Sequence, residues 1–204
     1  MAARRKRAYV GLGANLPTGR GGPEATLAWA VAALGAQDGV RVRAVSPLYA
    51  TAPWGVADQP EFRNAVVAID VTIEPLALLG VLKALEREAG RVDGERWGPR
   101  ILDLDLLVYG RQRLALERTP EARSLDADTD PSKAARLLEV PHRDLGDRLF
   151  VLAPLADLAS GLVPPGWHQT IATRLRAVAA RDGRAGARRL GTWDDAVGRW
   201  VSPG

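Results

Sequence analysis

Two aspartates separated by one residue, Asp103 and Asp105, follow directly on a loop that carries Arg91, Arg96, Trp97 and Arg100 between Gly90, Gly94 and Gly98. Asp103 and Asp105 alternate with Leu102, Leu104 and Leu106, which is the period of a β-strand. Both carboxylates then share one face, about 7 Å apart, and the leucines fill the other. By the same alternation Leu107 and Tyr109 return apolar side chains to the acidic face, so the carboxylates are expected at the end of a strand buried on both sides. Two buried anions require a counter-charge. Mg²⁺ brought in by a polyphosphate fits, because this ion takes one or two carboxylates together with phosphate oxygens and keeps its remaining waters. A D-x-D pair alone would read as surface acids bridged to arginines; the arginine and aromatic residues beside it favour the phosphate reading.

The preceding chain must position this strand. Residues 8–13, AYVGLG, read as a buried first strand. Its G-x-G lacks the third glycine of a dinucleotide fingerprint and no G-K-[ST] follows, so the glycines are assigned to close backbone packing. Pro23 opens a helix with Leu27, Val31 and Leu34 on one stripe and Gly35 as its terminal cap. Residues 40–51 read as one long strand, followed by the loop APWGVADQPE, whose length and Pro, Gly and Trp content suit a substrate wall. A third strand over 62–73 puts Ala65, Val67, Ile69, Val71 and Ile73 on one face, with Phe62 and Asn64 at the start of the other. An aromatic plate beside an amide suits a flat heterocycle; simple packing at a strand end accounts for the pair equally well. Pro75 starts a second helix with Leu78, Leu82, Leu85 and Ala89 apolar and Gly90 at its end, leaving Lys83 and Glu86 off the stripe.

The order strand, helix, strand, strand, helix, strand predicts an α+β fold, a ferredoxin-like βαββαβ antiparallel sheet with both helices on one face and added C-terminal elements. One domain is expected over 1–204, with a core at 8–178, a polar solvated insertion at 111–137 and a basic C-terminal tail at 181–204. Trp193 and Trp200 either dock that tail or decorate it. Composition narrows the function classes. With 47% hydrophobic residues the chain is globular, and its lack of cysteine and its two histidines exclude thiolate and His-rich metal sites. The net charge of +4 is concentrated toward the two ends of the chain and argues only weakly for nucleic acid. No apolar run is long enough for a membrane span, so a cytoplasmic protein is expected.

Six motifs stand in order: G-x-G-x-N-L at 11–16, Y-x-T-x-P-x-G at 49–55, Q-P-x-F-x-N-A at 59–65, G-R-V at 90–92, E-R-W-G-P-R-x-L-D-L-D at 95–105, and P-H-x-D with R-x-F-V-L-x-P-L at 141–155. Over roughly residues 8–178 the chain resembles the 6-hydroxymethyl-7,8-dihydropterin pyrophosphokinase family, which moves pyrophosphate from ATP to a pterin alcohol in folate biosynthesis. The resemblance implies that Asp103 and Asp105 hold two Mg²⁺ ions with ATP. It implies that Phe62 and Phe150 sandwich the pterin, that Asn64 pairs with its polar edge, and that Thr51, Pro53 and Trp54 line that pocket. Glu86, Arg96, Trp97, Arg100, Leu106, His142 and Arg148 would surround ATP, with Arg91 and Arg100 assisting transfer. ATP and the pterin alcohol are the implied partners of a monomer that binds neither nucleic acid nor membrane. Ala52, Asp93 and Arg143 depart from the family pattern.

Two rivals remain open at this level. A D-x-D nucleotidyltransferase also pairs a glycine motif with two aspartates, although there the motifs lie closer than the roughly ninety residues between Gly13 and Asp103. A βαββαβ RNA-binding module shares the element order, but FRNAVVAI lacks its aromatic pattern and two free-face aspartates would repel phosphate.

Overall fold

The computed structural model describes residues 4–53, 58–91, 98–119, 135–182 and 186–202. Strand β1 (Lys6–Ala14) lies between β4 (Phe62–Val71) and β5 (Asp103–Tyr109), antiparallel to both. The far side of β4 is shared by β2 (Val40–Val45) and β3 (Leu48–Thr51). Helices α1 (Pro23–Gly35) and α2 (Pro75–Glu88) cover one face of this βαββαβ sheet, the ferredoxin-like arrangement that the element order predicts. Leu27, Val31 and Leu34 of α1 and Leu78, Leu82 and Leu85 of α2 pack there on Val10, Leu12, Val67, Ile69 and Leu104. Each such leucine contributes about 1.5–3 kcal/mol by leaving water.

The opposite face is covered by α3 (Leu149–Ala159) and α4 (Ile171–Asp182), through Leu152, Leu155, Ile171 and Val178 against Val66, Ala68 and Leu107. This cover is partial. It leaves the ends of β1, β4 and β5 that carry Gly13, Asn64 and Asp103 open to a cavity.

Several expectations need correction. The long strand over 40–51 is two strands, because Pro47 has no N–H to donate and Ser46 turns its hydroxyl inward to accept from the Val66 amide at 2.9 Å. The third strand ends at Val71, not at residue 73, and α1 is capped by Ala36, with Gly35 still inside the helix. Tyr109 does not share the acidic face. The β1–β5 register shifts between Tyr9 and Val10, pairing them with Val108 and Leu106, so Leu107 is an extra residue. Beyond this bulge the alternation reverses: Tyr109 enters the helix-side core, where its hydroxyl donates to the Ile73 carbonyl, and Val108 joins Leu107 on the other side.

The insertion expected to be solvated is ordered at both ends, where β6 (Leu114–Glu117) pairs with β7 (Arg136–Val140); residues 120–134 lie outside the described set. The basic tail is structured too. Strands β8 (Arg188–Asp194) and β9 (Arg199–Val201) extend the sheet beyond β3, giving the order β5-β1-β4-β3-β8-β9. Trp193 and Trp200 meet edge to face at 4.7 Å, and the Trp200 indole donates to the Ser46 carbonyl at 2.8 Å. They dock the tail.

Candidate active site

Across the β1–β5 ladder Gly13 stands opposite Asp103 and Gly11 opposite Asp105, and across β1–β4 Gly13 stands opposite Asn64. The two short motifs that lie far apart in sequence are therefore directly paired in space. Neither glycine is a turn residue. A Cβ at Gly13 would come within 3.3 Å of the Asn64 Oδ1, and one at Gly11 would rest 3.5 Å from Leu107. Gly13 does pack closely, as the sequence suggests, and the missing side chains also leave a cavity of about 290 Å³ whose floor is β1 backbone. Asp103 and Asp105 line one end, Thr51, Phe62, Asn64 and Phe150 the other, with Arg100 and Arg148 also at its wall.

The aromatic end is set by ladder register. Thr51 pairs with Phe62 across β3–β4, and the Asn64 amide donates to the Thr51 Oγ1 at 2.8 Å, which fixes which way the buried amide is turned. Phe150 arrives from the first turn of α3, with the Arg148 guanidinium 5.7 Å from its ring centroid and itself ion-paired to Asp144. Ala52 lines this end; Pro53 is partly buried outside the lining, and Trp54 lies outside the described residues.

Asn15, almost wholly buried, joins the two ends. Its side-chain amide donates to the Gln59 Oε1 at 3.1 Å and the Pro60 carbonyl at 3.0 Å, while its Oδ1 accepts from the Arg100 amide at 2.7 Å. It thus fixes both the approach to Phe62 and the backbone of Arg100. The sequence signal for it was a polar residue at the end of an otherwise apolar strand.

At the carboxylate end the Arg91 guanidinium contacts Asp103 and stands 2.9 Å from the Glu86 Oε1. Glu86 is 3% exposed and also receives the Leu104 amide and the Lys83 ammonium, each at 2.7 Å. Burial pushes the Glu86 pKa up, and Lys83, the Leu104 amide and Arg91 offset this only in part. Burial also raises that of Asp103, but Arg91, Lys83 and Arg100 outweigh it and hold the carboxyl below its usual range. Arg91 is moved up because Asp103 and Glu86 overcome the cost of its desolvation. Lys83, placed off the helix stripe by periodicity, is therefore part of this cluster.

Not every expected residue meets the cavity. Leu106 is 2% exposed in the helix-side core, and Glu86 sits behind the carboxylates, outside the lining. His142 lies in a second hollow with Arg113, Glu139, Arg143 and Trp167. Arg96 and Trp97 fall outside the described residues.

Comparisons with known proteins agree with this geometry. The family model for 7,8-dihydro-6-hydroxymethylpterin-pyrophosphokinase matches residues 9–160. A 2-amino-4-hydroxy-6-hydroxymethyldihydropteridine pyrophosphokinase of Pseudomonas aeruginosa is 44% identical over 164 residues, covering 80% of this chain and 87% of that protein. One of Methylorubrum extorquens is 42% identical over 160 residues, with 78% and 87% covered. Among solved structures, a Plasmodium falciparum HPPK-DHPS crystallised with pterin and p-hydroxybenzoate superposes with a TM-score of 0.70 at 16% identity, over 98% of this chain and 48% of that one. The present chain spans about half the length of that protein, and the likeness is one of fold.

Proposed function

The chain belongs to the 7,8-dihydro-6-hydroxymethylpterin-pyrophosphokinase family, and from that premise we propose how its residues carry out the transfer of pyrophosphate from ATP to hydroxymethyldihydropterin in folate biosynthesis. The observation that carries the reading is the pairing of Gly11 and Gly13 with Asp105 and Asp103 beneath one cavity that also reaches Phe62 and Phe150.

The pterin ring lies between Phe62 and Phe150, where offset aromatic faces favour a flat heterocycle. Asn64 reads its polar edge, and the bond from its amide to Thr51 leaves Oδ1 turned toward the β1 floor, 3.3 Å from where a Cβ at Gly13 would be. The substrate hydroxyl then points across β1 toward the carboxylates on β5. There it attacks the β-phosphorus of ATP in line, and AMP leaves.

Asp103 and Asp105 fit Mg²⁺. Both are hard oxygen donors on one strand face, each opposite a glycine, and among the described residues no cluster of three or more His, Cys, Asp or Glu exists to hold an ion without help from a ligand. Two carboxylates suit ions that arrive with ATP, two in the present reading. Such ions supply neutralisation of phosphate charge. Arg91 and Arg100 add guanidinium donors to the phosphates as charge develops, and no strong base is required when positioning and electrostatics dominate phosphoryl transfer. Arg148, at the cavity wall, and His142, in the second hollow with its backbone amide bonded to the Leu107 carbonyl of β5, are assigned to the ATP side, with Glu86 and Leu106 as its buried backing.

The exposed large apolar residues among those described, Leu76 on α2, Leu137 on β7, Val163 between α3 and α4 and Val197 in the turn between β8 and β9, are scattered, which supports a monomer. Among the described residues no helix is long and apolar enough to cross a membrane; we place the reaction in the cytoplasm, with ATP and the pterin alcohol as partners and no nucleic acid.

Chromatography of nucleotide products is the test. AMP should form from ATP only when the pterin alcohol is present. Release of inorganic pyrophosphate would instead favour a nucleotidyltransferase.

A further inference from the structure

The last two strands lie outside the family match at 9–160, and the segment leading into them touches the pterin end at three places. Ala187 packs in the same apolar cluster as Leu149 and Phe150, and a Cβ on Gly186 would come within 3.0 Å of the Leu149 Cδ2. Arg188 pairs with Ala50 across β3–β8 and reaches the Glu61 Oε2 at 3.2 Å. Arg189 pairs with Tyr49, whose hydroxyl donates to the Asp157 Oδ2 at 2.6 Å and so ties β3 to α3. Leu149, Glu61 and Ala50 are the chain neighbours of Phe150, Phe62 and Thr51. One short stretch therefore holds, at a distance of one residue, both aromatic plates and the partner of Asn64.

We infer that the C-terminal hairpin is a positioning element for the pterin pocket, with Gly186 and Arg188 setting the spacing of Phe62 and Phe150. The inference rests on the pterin reading of that end. The contacts just described for residues 186–189 fall at the aromatic end and involve none of Asp103, Asp105, Arg91 and Glu86. β3 would be an edge strand without the hairpin, paired on one side only. With β8 paired to it and Trp200 bonded to the Ser46 carbonyl, β3 is fixed on both sides. Gly191 makes this possible, since a Cβ there would lie 2.4 Å from the Val201 carbonyl oxygen.

The test measures KM for each substrate, direct pterin affinity by fluorescence titration, and Tm on the full chain. Gly186→Val should press on Leu149, misplace Phe150 by a fraction of an ångström, and raise KM and Kd for the pterin alcohol by about tenfold. KM for ATP should stay within about twofold. Arg188→Ala should raise the pterin values by about two- to threefold, because an exposed ion pair contributes little, and Arg188→Lys should restore them. Equal rises for both substrates, or a lowered Tm with pterin affinity unchanged, would reduce the hairpin to general stabilisation and overturn the inference. If Gly186→Val fails to fold, the Arg188 pair of variants decides on the same criteria. Phe62→Ala serves as the control. Its failure to weaken pterin binding would bring down the pocket reading itself, whereas a loss there with no effect at 186 and 188 would bring down only the hairpin's role.

Discussion

At the carboxylate end of the cavity Arg91 bridges Asp103 and Glu86, and Lys83 with the Leu104 amide completes Glu86. At the aromatic end Asn64 meets Thr51 across the β4–β3 ladder, and Phe62 and Phe150 are delivered by β4 and α3. The first arrangement is held by charges that can change partners; the second is held by backbone register and packing that cannot shift without moving a strand. Arg91, paired with Asp103 and Glu86, can pass to a phosphate once another cation takes its place at Asp103. Under the proposed function, the difference would put adaptability where charge develops during transfer and rigidity where a flat ring is selected.

Removing charge at the first end should have the largest effect. Asp103→Ala and Asp105→Ala should each lower kcat by on the order of a thousandfold or more, with the fold retained by circular dichroism, since a lost metal ligand forfeits several kcal/mol of charge stabilisation. Full activity of either at saturating Mg²⁺ would remove the charged half of the comparison. Arg91→Ala comes next. Its contact should matter most as charge develops, so single-turnover rate should fall by about a hundredfold while ATP affinity changes by about threefold or less. Equal losses in rate and affinity would make Arg91 a static clamp and erase the contrast in mobility.

At the rigid end Phe62→Ala and Asn64→Ala should weaken pterin binding by about tenfold with ATP binding unaffected, the size expected for one stacking or edge contact. Calorimetric titration with both ligands separates the two ends, and a loss confined to ATP would mean that they are interchanged. The smallest effect concerns the sheet itself. The hydrogen bond from Arg7 holds the Asp70 carboxyl below its usual range against partial burial, with Arg43 adding to it. A depressed pKa contributes stability above the unfolded value of about 3.9 that is lost as pH falls through the folded one. Asp70→Asn should therefore cost about 0.5 kcal/mol near neutral pH, discounted for exposure, and the difference from wild type should vanish in acid. A difference that persists at low pH would attribute the effect to packing.

The elements of the core were legible because strict alternation and helical stripes report which face is buried; Ala65, Val67 and Ile69 are where their period puts them. Tyr109 was misplaced because a bulge adds a residue without leaving any mark in composition. The break at Ser46 was hidden because a serine hydroxyl can stand in for a ladder acceptor. Asn15 escaped, and Lys83 was placed only as facing solvent or the site, for another reason: periodicity says which way a side chain leaves its element, and only tertiary contact says what it meets. The tail's basic composition masked a hairpin whose order rests on two tryptophans seven residues apart and on glycine at 191.

The cavity floor is made of peptide groups at residues 11 and 13, where neighbouring sites present side chains. A wall built of side chains can be reshaped by substitution; one built of backbone can only be filled in. Any residue other than glycine at 13 brings a carbon against the Asn64 Oδ1, and at 11 it takes up space beside Leu107. An inhibitor whose contacts run along β1 would thus face the part of the enzyme least able to escape by point mutation, since a change that excludes the inhibitor would also narrow the proposed path between pterin and phosphate.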